Sequence, residues 1–347
     1  MKVKILAVNS RSRTSRYNFT TSTSKLNCQW FQLPRRRKLN QILGTVALFV
    51  FLGVVVPAHA NSKLAIAPLL SNHQLAGATL QAARKDIELL DIDGYRQRGV
   101  ERFFKEDYQG AIEDLNQVIR LEPTDAVAYL FRGMSRQQLK DYQGAIEDYN
   151  QVIKLDPNNI LVYEFRGDLR SQLEEHQAAI EDYNQVIKLD PNDSTAYLKR
   201  GLIRGIIKDY QGAIEDYNQL IKLDPTNFMA YNNRCYARAR GLGDYQGALA
   251  DCNESIRLYP DSAYSYASRC YTRAGLGDKK ALEDCDRALE IDPGYAGGYE
   301  DRGLARSALG DKPGAIADLE QAAKLYQEQE RMFDYKQVQE ILKQLQR

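Results

Sequence analysis

The groups that could do chemistry in residues 61–347 of this 347-residue chain are few. They are Cys235, Cys252, Cys270 and Cys285, the histidines His73 and His176, and a regular set of arginines and aspartates. Four cysteines could hold zinc, pair as disulfides, or supply a nucleophile. Zinc sites favour close pairs such as C-x2-C, and the steps between these cysteines are 17, 18 and 15 residues. No serine or cysteine sits in a nucleophile motif, and no glycine-rich loop could cradle phosphate. Pairs such as Glu147-Asp148 recur too regularly for a catalytic dyad. His176 takes the place that Tyr142 and Tyr210 hold in neighbouring segments, which reads as a structural substitution. The residues therefore predict no enzyme, no metal site and no cofactor.

The charged set recurs with a fixed geometry. One arginine falls at Arg98, Arg132, Arg166, Arg200, Arg234, Arg269 and Arg302. A second follows four residues later at Arg102, Arg136, Arg170, Arg204, Arg238, Arg273 and Arg306, so each pair shares one helix face. An aspartate accompanies every pair: Asp114, Asp148, Asp182, Asp216, Asp251, Asp284 and Asp318. A ladder of ion pairs between packed helices is the favoured reading, because guanidinium forks match carboxylates. The alternative is a basic groove for an acidic peptide or nucleic acid.

A period of about 34 residues must position these groups. Its marker alanines are Ala111, Ala145, Ala179, Ala213, Ala248, Ala281 and Ala315, with steps of 34, 34, 34, 35, 33 and 34. Pro123, Pro157, Pro191, Pro225, Pro260 and Pro293 keep step. Such a period signals stacked units that bury each other's apolar faces. The second unit predicts helix A over Val127–Lys140, a turn at Asp141-Tyr142, and helix B over Gln143–Leu155, which Pro157 ends. Ile146, Tyr149, Val152 and Ile153 form the buried stripe of helix B. Gly133 and Ala145 sit where the two helices cross closest.

Tyr129, Gly133, Tyr142, Ala145, Tyr149, Val152 and Pro157, with their equivalents in the other units, resemble the tetratricopeptide repeat family. The resemblance covers about Ile92 to Gln329. It implies an all-α fold, a superhelical solenoid of seven helix hairpins whose A helices line a concave groove. The family's usual tryptophan is tyrosine in every copy, from Tyr95 to Tyr299. The repeats are expected over 92–125, 126–159, 160–193, 194–227, 228–262, 263–295 and 296–329, after a linker and a short pre-repeat helix over 61–91, the helix spanning Gln74 to Leu90. A capping helix is expected over 330–347, with Tyr335, Val338, Ile341, Leu342 and Leu345 on one side. Family geometry puts Phe103, Phe104, Leu130, Met134, Leu161, Leu198, Leu202, Ile206, Tyr236, Tyr264 and Tyr271 on the groove. The positions with which some members clamp a terminal carboxylate are not reproduced.

The copies also align the cysteines. Cys235 and Cys270 replace the helix A glycine, and Cys252 and Cys285 replace the large residue opposite it on helix B. Both changes occur together twice, so the disulfides Cys235–Cys252 and Cys270–Cys285 are expected. Each would close a loop worth roughly 3 kcal/mol of chain entropy. Other pairings, and four buried free thiols, are the alternatives.

Residues 1–60 carry ten basic side chains and no acidic one, which leaves 37 Lys+Arg against 46 Asp+Glu (a net of −9) in the remainder. That acidity disfavours nucleic acid. Arg35-Arg36-Arg37-Lys38, an apolar run over 42–56 and Ala58-His59-Ala60 read as an export signal cut after Ala60. The expected product is a scaffold in the periplasm or another extracytoplasmic space that binds a protein or peptide. The alternatives are an assembly factor anchored to a membrane by an uncleaved 42–56 run, a start further downstream, or a bipartite leader into the thylakoid lumen.

Overall fold

The computed structural model describes residues 91–346. The expected leader, most of the linker, the pre-repeat helix and His73 lie outside them. Helix α1 covers 91–104. It is followed by α2 (Tyr108–Leu121), α3 (Ala126–Gln138), α4 (Tyr142–Leu155), α5 (Ile160–Gln172) and α6 (His176–Leu189). Then come α7 (Ser194–Ile206), α8 (Tyr210–Leu223), α9 (Phe228–Tyr236), α10 (Tyr245–Leu258), α11 (Ala263–Gly275) and α12 (Ala281–Ile291). The chain ends with α13 (Ala296–Ala308), α14 (Lys312–Glu328) and α15 (Met332–Gln346). Among the described residues there is no strand, and no helix is long and apolar enough to cross a membrane.

Odd-numbered helices from α1 to α13 are the A helices of repeats 1 to 7, and even-numbered ones from α2 to α14 are the B helices. From α3 onward each A helix packs on its own B helix, and from α2 onward each B helix packs on the next A helix. The result is an α-α solenoid in which every hairpin completes its neighbour's core. One such unit buries Ala145, Ile146, Tyr149, Val152, Val162 and Leu169, so α4 is sealed by α5 of the following repeat. Gly133 lets α3 and α4 approach, since a Cβ there would lie 2.9 Å from the Tyr149 ring and 3.1 Å from the Asp148 Cβ. Cores of this kind tolerate no such overlap.

Local signals set the helix ends. Asp107, Asp141, Asp209, Asp244 and Asp311 accept a hydrogen bond from the backbone N–H three residues on, capping their B helices. Glu175 takes that place in repeat 3 and makes no side-chain cap. Helix α3 stops at Gln138, two residues short of the expected Lys140, because Lys140 adopts a left-handed φ of 65°. Glu106, Glu174, Lys208 and Glu330 do the same, whereas Gly243, Gly277 and Gly310 serve this turn elsewhere.

The irregular steps in the period have structural counterparts. The 35-residue step appears as a π-helical turn over Ala237–Leu242 after α9. The 33-residue step removes one residue before α12, which starts at Ala281 and lacks a side-chain cap. At the C-terminus α14 runs on to Glu328, where no proline intervenes, and α15 covers the last hairpin. Val338, Ile341 and Leu342 are buried there, with Tyr335 and Leu345 packed beside them.

Candidate binding face

The arginines and aspartates form a closed ladder. Asp148 is 1% exposed and faces two guanidinium groups. Arg132 Nε donates to its Oδ2 at 3.0 Å, and Arg136 Nη1 donates to the same oxygen at 2.9 Å. Arg136 Nη1 also donates to the Gly144 carbonyl at 3.1 Å, on the first turn of α4. The same arrangement joins Arg166 and Arg170 to Asp182, Arg200 and Arg204 to Asp216, and Arg234 and Arg238 to Asp251. It recurs at Asp114, Asp284 and Asp318. Burial pushes the Asp148 and Asp216 carboxyls above their usual range, against the pull of their arginines.

Two further contacts were not anticipated from the residues alone. The first arginine of each pair stacks on the tyrosine three residues before it, as Arg132 does on Tyr129 at 5.4 Å. Its free Nη1 reaches back to the previous repeat. Arg132 donates to Asn116, Arg166 to Asn150, Arg200 to Asn184, Arg234 to Asn218 and Arg269 to Asn253. Arg302 donates to Asp286. The recurrence of asparagine two residues after five of the seven ladder aspartates was the available signal. The ladder thus joins hairpin to hairpin, and each of its fourteen arginines makes an internal hydrogen bond, as the ion-pair reading expects.

The cysteines occupy the glycine-and-aromatic crossing of repeats 5 and 6. Cys235 is joined to Cys252 and Cys270 to Cys285, with Cα separations of 5.5 and 5.3 Å. All four are fully buried. Small side chains sit beside them, Ala239 and Ala248 in repeat 5, Ala274 and Ala281 in repeat 6, and Ala305 from repeat 7, with Tyr245, Tyr271, Leu282 and Leu309 packed around. A covalent bond therefore stands where Tyr149 or Tyr183 fills space in earlier repeats. Among the described residues no group of three His, Cys, Asp or Glu side chains could hold a metal ion.

The residues expected on the groove divide into three groups. Phe103 and Phe104 form an edge-to-face cluster with Phe131, with ring centroids 5.4 and 5.8 Å from it, and Phe104 is 50% exposed. Leu161 is half-buried, while Leu130, Met134 and Leu202 lean on core clusters beneath them. Leu198 and Ile206 do not belong on this face: each is only 7% exposed. Leu198 packs with Ala213, Ile214, Tyr217 and Ala230 between repeats 4 and 5. Val127 is 37% exposed on α3.

The third group is Tyr236, Tyr264 and Tyr271, and two of its rings, Tyr236 and Tyr271, flank Arg240. The Arg240 guanidinium lies 4.3 Å from the Tyr271 ring and 5.5 Å from the Tyr236 ring. Its Nη2 donates to Asp301, and its Nη1 is 3.6 Å from Glu300. Tyr264 stacks edge-on against Tyr295 at 4.6 Å. Burial by itself would lower the Arg240 pKa, but Asp301, Tyr236 and Glu300 hold it well above the ordinary arginine value.

Comparison with known proteins agrees with this architecture. Tetratricopeptide repeat profiles match residues 126–159 and 208–263, and a TPR repeat profile matches 167–205. No curated protein matches the chain. Among solved structures, a tetratricopeptide repeat protein from Parabacteroides merdae is 21% identical, with a TM-score of 0.57 over 74% of this chain and 100% of that one. The C-terminal part of a TPR repeat-containing protein from Cytophaga hutchinsonii is 17% identical, with a TM-score of 0.53 over 66% of this chain and 95% of that one. The in-phase repeats, the hairpin packing and the profile matches agree, and the chain belongs to the tetratricopeptide repeat family.

Proposed function

We propose that the protein is a non-enzymatic scaffold that holds an extended protein or peptide segment against its A helices. The observation that carries this reading is the contrast between charge and apolar surface. The ladder charges are consumed internally, while Phe104 and Val127 stay open beside the half-buried Leu130, Met134 and Leu161. Apolar side chains gathered on one face of a water-exposed protein mark a contact surface. Helix hairpins stacked in register offer an extended chain a long series of equivalent contacts. The two disulfides favour an oxidising, extracytoplasmic compartment. Export by a leader cut after Ala60 completes the proposal, and the mass of the mature chain distinguishes it from anchoring by an uncleaved 42–56 run.

The test is affinity capture from the exported compartment with surface variants. Phe104→Glu and Leu161→Glu, both on A helices, should abolish co-capture of the wild-type partner. Glu147→Lys, on the exposed side of α4, should leave it intact. The opposite pattern would place the partner on the B helices and end the proposal.

A further inference from the structure

The one-residue excess of repeat 5 and the caged guanidinium of Arg240 occur at the same place. A helix absorbs a single extra residue by widening one turn, and such turns concentrate at functional positions. Here the widened turn spans Ala237–Leu242 and ends at Gly243, whose φ is 70°. Gly241 lets this turn lie against repeat 4, since a Cβ there would lie 2.3 Å from the Tyr210 ring. Within that turn sits Arg240, where the A helices of repeats 1 to 4 carry Phe104, Gln138, Gln172 and Ile206.

The surroundings of Arg240 suit a planar cation. Two tyrosine rings flank it, and two carboxylates face its nitrogens. Its side chain is only 12% exposed. Asp301 and Glu300 belong to α13, so the contact joins repeat 5 to repeat 7, whereas the ladder arginines reach only their own repeat or the one before. Glu300 is itself held by the Tyr326 hydroxyl, which donates to it at 2.8 Å. Helix α11 packs directly on α13, so the A helices are drawn together here. Cys235 and Cys270, each locked in a disulfide, immediately precede Tyr236 and Tyr271. Both walls of the cage are thereby anchored to their hairpins.

We propose that Arg240 is an internal latch. It fills a guanidinium cage made by Tyr236, Tyr271, Glu300 and Asp301, ties repeat 5 to repeat 7, and closes that end of the A-helix face. A guest chain is then left with repeats 1 to 4, a consequence that rests on the binding reading above. The latch itself does not, and its test uses no guest.

Spin labels are attached through Ala250→Cys and Ala317→Cys, both exposed on the B helices of repeats 5 and 7, in the full chain carrying Cys28→Ser so that no other unpaired cysteine is labelled. The distance between them is then measured by pulsed electron resonance. The parent should give one narrow distribution. R240A should broaden it, and millimolar methylguanidinium should restore the narrow form by refilling the cage. D301N, which leaves the guanidinium and its aromatic stack in place, should broaden the distribution to a lesser degree, and it supplies the readout if R240A does not fold. A narrow distribution in R240A would overturn the latch. So would broadening that methylguanidinium fails to reverse, or a D301N distribution identical to the parent's.

Discussion

Replacing Asp182 with alanine should destabilise repeat 3 by about 3 kcal/mol, toward the low end of what removing one partner of a buried ion pair costs. The carboxylate is 1% exposed and takes hydrogen bonds from Arg166 Nε at 3.1 Å and from Arg170 Nη1 at 2.9 Å. Alanine leaves both guanidinium groups without their principal acceptor. The arginine side chains are 13% and 19% exposed, so they recover part of their hydration. Arg166 also keeps its stack on Tyr163 and its bond to Asn150. Those residual contacts set the low end. Asn150→Ala removes only an exposed bond between repeats 2 and 3 and should cost about 1 kcal/mol. Solenoids unfold unevenly, so the assay is amide exchange resolved by repeat, alongside urea melting. Faster exchange should centre on α5 and α6 and spread to their neighbours. A change below about 0.5 kcal/mol, the ordinary range of surface substitutions, would refute the reasoning that the ladder orders the stack.

Reducing both disulfides should lower the stability of repeats 5 and 6 by roughly 3 kcal/mol each from loop-closure entropy. Exchange by mass spectrometry, with and without reductant, should show the loss confined to α9 to α12. Asp141→Ala should cost about 1 kcal/mol by removing an N-cap, while Glu175→Ala, which removes none, should be near neutral in the same melt. Lys140→Gly should raise stability by roughly 0.5 to 1 kcal/mol, because glycine relieves the left-handed backbone there. The matching substitution of a residue inside α4 should lower it.

Much of the fold could be read from the residues because each copy repeats the same solution. The pairing of Gly133 with Tyr149 is visible as a pattern, and so is its joint replacement by cysteines in repeats 5 and 6. The ladder was legible for the same reason: arginine pairs and aspartates keep one phase in all seven copies. The backward reach to Asn116 and its equivalents needed the relative rotation of neighbouring hairpins, which spacing does not encode. Leu198 and Ile206 were placed on the groove because their helix positions usually face it, yet Leu198 turns into the core between repeats 4 and 5. Helix α3 ended early because a lysine took a turn that usually signals itself with glycine. Arg240 was hidden by its uniqueness. A residue that occurs once leaves no recurrence, and its meaning depends on a π-helical turn that the 35-residue step permits but does not specify.

The central claim is that a partner chain lies along the A helices. The direct measurement is site-specific photo-crosslinking in the compartment where the protein works. Crosslinkers are placed at Phe104, Val127, Met134 and Leu161 on the A helices, and at Glu113, Glu147 and Glu181 on the exposed B-helix surfaces. The account predicts adducts with one partner polypeptide from the first set and none from the second. Adducts formed only from the glutamate positions would contradict it.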